Sequence, residues 1–139
     1  FLDALAARGA QGLPLDILEG RFDDRADTLL RLVIAGVVTL RARPAPIATE
    51  AGAHPLASPL ARAQARQGRH ALASLRGGEI EMREPQMREF LGLLDGRHDR
   101  AALARGMAAR TKAAPQAMTA AVDAALVDVA RLGLLYAVN

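Results

Sequence analysis

At 139 residues, 51% of them hydrophobic but only 3% aromatic and none Trp, the chain can bury one moderate core or two small ones built mostly from Ala, Leu and Val. The absence of cysteine excludes disulfides and thiolate-held metals and suits a reducing cytoplasm, the expected location. Of 18 basic residues only Lys112 is not arginine, so a pI near 10.5 accompanies a net charge of just +3 and points only weakly to nucleic acid.

Residues 1–46 read as helix, helix, helix, strand. Leu2 and Leu5 share a face on a first helix that stops near Gly9. Pro14 suits the opening turn of a second, along which Leu15, Leu18 and Phe22 form one apolar stripe. Asp23 or Asp24 can cap a third helix carrying Ala26, Leu29, Leu30 and Val33 on one side. Gly36 ends that helix, and the β-branched, apolar residues 37–40 predict a strand. Leu29, Val33 and Val37 are the expected core of this unit.

Residues 47–70 read as a linker with a short basic helix. Pro46, Gly52 and Pro55 punctuate its start, and Ser58-Pro59 supplies an N-cap and first turn for a helix to about Gln67. In residues 71–139 a hairpin is expected first, from 72–75, Gly77-Gly78 and 80–82. Met87, Phe90, Leu91 and Leu94 then repeat with helical spacing after Pro85. Asp95-Gly96 turns the chain, Asp99 can cap the helix bearing Leu103 and Met107, and Pro115 opens a long helix with Met118, Val122, Ala125, Val129 and Leu132 on one face. Gly133 ends it, and residues 134–138 predict a closing strand. Leu91, Leu94, Val122, Val129 and Leu134 are the expected core.

The segment 29–38 aligns with 126–135 at an offset of 97, each an amphipathic helix running through a glycine into aliphatics. The expected architecture is therefore mainly α with short β (α+β), as two tandem winged-helix-like units, 1–46 and 71–139. No apolar run approaches the roughly 20 residues of a membrane span. A start at Phe1, inside a helical pattern and without a signal peptide, is what a piece of a longer protein would show.

Ser58-Pro59-Leu60-Ala61-Arg62, Gln64-Ala65, Leu75-Arg76 and the stretch 90–103, with Leu93-Leu94-Asp95-Gly96-Arg97-His98-Asp99-Arg100 at its centre, resemble the C-terminal region of a bacterial methyltransferase group. The group uses S-adenosylmethionine, carries a methyltransferase regulatory domain and includes protein lysine methyltransferases. Arg97 stands where its pattern has Thr, and Gly77 where it often has His. The resemblance implies a winged-helix tail whose catalytic domain, with its S-adenosylmethionine, lies upstream in the same chain. That domain is the first expected partner and a protein substrate the second. The segment would then be a non-catalytic accessory domain that docks substrate or regulates.

The residues carry no site for such chemistry themselves. Gly9-Ala10-Gln11-Gly12 follows a helix and Gly77-Gly78 opens none, so no glycine-rich strand-to-helix turn exists to cradle a cofactor. His54, His70 and His98 are scattered, without the paired spacing of a metal site. Asp95, Arg97, His98, Asp99 and Arg100 form the densest polar cluster, and turn and cap chemistry accounts for both acids. Catalytic, cofactor-binding and metal-ligating residues are accordingly none.

Arg62, Arg66 and Arg69 fall at i, i+4 and i+7 on the basic helix, with Arg76 nearby. These four are the candidate partner-binding residues, against the plainer reading of a solvated face. Two alternatives remain: a winged-helix DNA-binding module, disfavoured because Asp123 and Asp128 sit on the outer face of the third helix, and a peptide-binding winged helix using strand addition.

Overall fold

The computed structural model describes residues 22–137, and the expected helices through Leu2, Leu5, Leu15 and Leu18 and the end of the strand at Val138 lie outside them. The chain divides into two compact units, Phe1–Ala45 and Pro46–Asn139. No helix among the described residues is long and apolar enough to cross a membrane.

In the first unit the described structure is one helix, α1 (Phe22–Ile34), whose exposed side carries an Arg31–Asp27 ion pair one turn apart at 2.7 Å. Gly36, at φ +71°, closes it: its N–H donates to the Val33 carbonyl and that of Val37 to Leu32. The strand expected at 37–40 is not formed. A β-branched run becomes a strand only against a ladder partner, and among the described residues none pairs with it. Leu29 and Val33 are half-buried, while Val37 is 66% exposed and is no part of a core.

The second unit holds α2 (Pro59–Arg66), the strands β1 (Ala71–Ala73) and β2 (Glu79–Glu81), then α3 (Pro85–Leu93), α4 (Arg100–Thr111) and α5 (Pro115–Arg131). The strands pair antiparallel, Leu72 opposite Ile80. Their loop is closed by Ser74 N–H to the Gly78 carbonyl and Gly77 N–H to that of Ser74, with Gly77 and Gly78 at the positive φ that glycine allows. Three helices start at the signals the sequence contains: Ser58 before Pro59, Pro115 before a long amphipathic run, and Asp99, whose carboxylate accepts the Ala102 N–H at 2.7 Å.

These elements enclose one core. Phe90 is its sole aromatic residue, packed with Leu72, Leu91, Leu94, Leu103, Leu126, Val129, Leu134 and Leu135. Buried alanines, Ala61 and Ala65 on α2, Ala104 and Ala108 on α4 and Ala130 on α5, fill the space between. All five residues expected in this core are buried; Leu126, one turn before Val129, belongs with them.

Residues 47–70 are part of this packed unit. Ala57, Ala61 and Ala65 lie in its core, and the stretch before α2 is held on two sides. Ala57 N–H donates to Leu94 and Ser58 N–H to Leu134, while Tyr136 N–H donates to Leu56 and Ala137 N–H to Pro46. The expected closing strand at 134–138 is thus replaced, over its described part, by isolated bridges, Ala57 to Leu135 and Ile47 to Tyr136. The prolines and glycine of 46–55 prevent a continuous ladder without preventing packing. The described residues hold a single winged-helix arrangement; a tandem pair is not shown.

Substituting Leu91→Ala or Val129→Ala should cost about 2–4 kcal/mol, because each removes fully buried methyl groups from a tightly filled core. Val127→Ala, two positions away but 59% exposed, should stay within about 0.5 kcal/mol. Urea denaturation of the three variants checks the contrast; similar losses at positions 127 and 129 would contradict the assigned face of α5.

Candidate functional site

The turn between α3 and α4 organises the polar cluster. Asp95 Oδ1 accepts the Arg97 N–H at 2.9 Å, the His98 N–H at 3.4 Å and the His98 Nδ1–H at 2.8 Å. Gly96, at φ +79°, packs its open side against Leu56. Partial burial alone would raise the Asp95 pKa; the bonds from Arg97 and His98 outweigh it and hold the carboxyl at about 2. Arg100 pairs with Asp123 of α5 and donates to the Ala51 carbonyl at 3.1 Å. Each acid in the cluster therefore has a structural task, a turn for Asp95 and a cap for Asp99. Among the described residues no group of three His, Asp or Glu is placed to hold a metal.

The four candidate arginines do not form one continuous basic stripe. The helix ends at Arg66, and Gly68 at φ +75° redirects the chain, so Arg69 lies beyond it. Arg66 donates from Nη2 to the Gly92 carbonyl at 3.2 Å, joining α2 to α3. Arg62 is half-buried, its Nε is shut off from solvent with no hydrogen-bond partner among the described residues, and burial lowers its pKa, helped by Arg66 and opposed by Asp95. Arg76 lies over the Gly133 Cα: a Cβ there would come within 2.6 Å of the Arg76 Cγ. Three of the four thus bear on packing within the domain, and Arg69 is simply exposed.

Sequence patterns did not reveal a surface groove of about 540 Å³ where β2 leads into α3 beside the end of α5. It is lined by Met82, Met87 and Leu132 together with the carboxylates of Glu81, Glu84 and Asp128 and the guanidinium groups of Arg83 and Arg131. The groove spans residues 81–132, too far apart for any local pattern to bring together. The alternation Glu79-Ile80-Glu81 was the one visible hint of a strand with a polar outer face.

The family described as "PKMT, C-terminal winged helix domain" matches residues 53–123, from the strand-like entry before α2 into α5. The chain belongs to this family. That domain accordingly accounts for the hairpin and most of the helices of the second unit. Two solved structures share the fold: PKMT2 from Rickettsia typhi, with a TM-score of 0.70, and the same protein in complex with AdoHcy, with 0.69. Each is 15% identical, and the match covers 96% of this chain but 33% of the longer one. The chain therefore spans about a third of the length of the solved proteins it matches. No curated protein matches it.

The Asp95 carboxyl provides a pH test of the turn. Its folded pKa of about 2 lies below the usual unfolded value of about 3.9, so its stabilisation is complete above roughly pH 4 and is lost as pH falls through 2. Asp95→Asn should reduce the urea midpoint at pH 6, and the gap to the native chain should close towards pH 2. A gap independent of pH would show that the charge of Asp95 has no part in holding the turn.

Proposed function

We propose that the chain is a non-catalytic C-terminal accessory domain of an S-adenosylmethionine-dependent methyltransferase acting on protein, where it docks substrate or regulates the catalytic domain. Membership of the PKMT C-terminal winged-helix family is the observation that carries this proposal. The solved PKMT2 structures support it, since the likeness covers a third of a chain that was also studied with AdoHcy. Of the two glycine segments in the sequence, Gly9-Ala10-Gln11-Gly12 lies outside the described residues. Gly77-Gly78 lies in a hairpin loop and precedes a strand, so it has no helix N-terminus to set against a cofactor carboxylate. Cofactor and catalytic groups belong to the upstream domain on this view, with no catalytic, metal or cofactor residue assigned here.

Calorimetric titration of the 139-residue chain with S-adenosylmethionine should give no heat of binding. A dissociation constant in the micromolar range would overturn the accessory role.

The charge distribution argues against duplex DNA as the partner. On α5 Gln116 and Thr119 are exposed, but Asp123 and Asp128 follow on the helix that would enter a groove, and Asp123 already occupies Arg100. Phosphates would be repelled from that half of the helix. A gel shift at low and moderate salt should show no complex; a salt-sensitive band carried by Arg69 and Arg131 would favour the DNA-binding alternative.

A further inference from the structure

The hairpin has one covered edge and one open edge. Met82 N–H donates to His70 at 2.7 Å and Ser74 N–H to Gly78 at 3.1 Å, and the register places Leu72 opposite Ile80. Antiparallel pairs alternate between bonded and non-bonded, so these three pairs are the bonded set. The peptide groups of Ala71 and Ala73 on β1, and of Glu79 and Glu81 on β2, must then point outward.

On β1 that outward side is occupied: the Ala73 N–H donates to Gln64 Oε1 of α2 at 2.8 Å. On β2 nothing among the described residues bonds to the outward N–H and C=O groups of Glu79 and Glu81. A short run of unpaired donors and acceptors is a template for another extended chain.

Chemistry beside the edge narrows the occupant. Glu79 and Glu81 are exposed, and the groove that continues from Glu81 combines apolar Met82, Met87 and Leu132 with the carboxylates of Glu84 and Asp128. Arg83 and Glu81, both lining the groove, are paired with each other at 2.7 Å, so its remaining charges are Glu84 and Asp128 against Arg131, with the exposed Glu79 on the edge itself. A lysine fits this mixture, its methylene stem on apolar surface and its ammonium beside carboxylates. Opposite charges facing each other across strands also favour such pairing.

We propose that the outer edge of β2 docks an extended, lysine-bearing segment of a protein partner, which adds as a third strand and leads into the groove lined by Met82, Met87 and Leu132. The proposal rests on the accessory-domain reading only for what the segment belongs to, a substrate protein; the edge is tested on this chain alone.

The probe is a short fluorescein-labelled peptide alternating lysine with valine, titrated into the 139-residue chain and followed by anisotropy. Saturable binding is expected, and N-methylation of every second peptide nitrogen on the pairing side should weaken it about tenfold or more. Glu81→Pro, which removes an outward N–H at an edge position where proline is tolerated, should do the same with unchanged circular dichroism. A peptide alternating glutamate with valine should not bind, and E79K/E81K should reverse that preference. No binding of the lysine peptide at millimolar concentration, or equal binding of its N-methylated form, would overturn strand addition and leave the glutamates as protection of an edge against aggregation. Equal binding of the glutamate peptide would overturn the lysine assignment. Binding of S-adenosylmethionine would defeat the accessory role without touching any of these outcomes.

Discussion

The exit from α5 is the constraint on which the winged-helix unit depends. Gly133, at φ +67°, turns its N–H back to the Ala130 carbonyl and lets Leu134 N–H reach Val129, the paired bonds of a Schellman ending. That turn delivers Leu134 and Leu135 into the core, both essentially fully buried. The same short stretch then collects the rest of the domain. Leu132 accepts from the Ser74 hydroxyl, Gly133 from the Leu75 N–H, Leu134 from the Ser58 N–H and Leu135 from the Ala48 N–H. Hairpin, α2 and the segment before it are therefore tied to one helix end. A side chain at position 133 would strike Arg76 and also require a backbone conformation that costs about 1–3 kcal/mol outside glycine.

The repeat at an offset of 97 has its physical basis in this motif. Gly36 N–H to Val33 and Val37 N–H to Leu32 reproduce, position for position, the bonds of Gly133 to Ala130 and Leu134 to Val129. What recurs in the sequence is a helix ending. Beyond the glycine the two copies differ: Leu134 and Leu135 are buried, and Val37 is largely exposed. Among the described residues it is this helix ending that is shown twice.

Charge in this domain is spent largely on closing backbone and turn geometry. Arg66 reaches the Gly92 carbonyl, Arg88 those of Met82 and Arg83, and Arg100 both Asp123 and the Ala51 carbonyl. Guanidinium suits this work because its fork of donors can serve several acceptors while its stem packs. The acidic strand β2 contrasts with these arginines, since its glutamates frame peptide groups that have no partner within the described residues.

Helix starts, helix ends and the buried faces of α3, α4 and α5 could be seen in the sequence, because each is set by bonds or contacts within about four residues. Asp99 caps its helix, Gly96 and Gly133 take positive φ, and Leu91, Leu94, Val122 and Val129 are buried as their spacing demands. The sequence also carried the family, in the turn and cap around Asp95 and Asp99. Four matters were decided only by tertiary structure. Residues 46–58 became part of the core because 134–137 offered them backbone partners some 80 positions away, which no proline or glycine count can register. Residues 37–40 did not become a strand because propensity without a partner leaves peptide groups unpaired. Arg66 and Arg76 were drawn against the fold because the carbonyl of Gly92 and the surface of Gly133 came to lie beside them, and the open edge of β2 exists because α2 covers the other side of the hairpin.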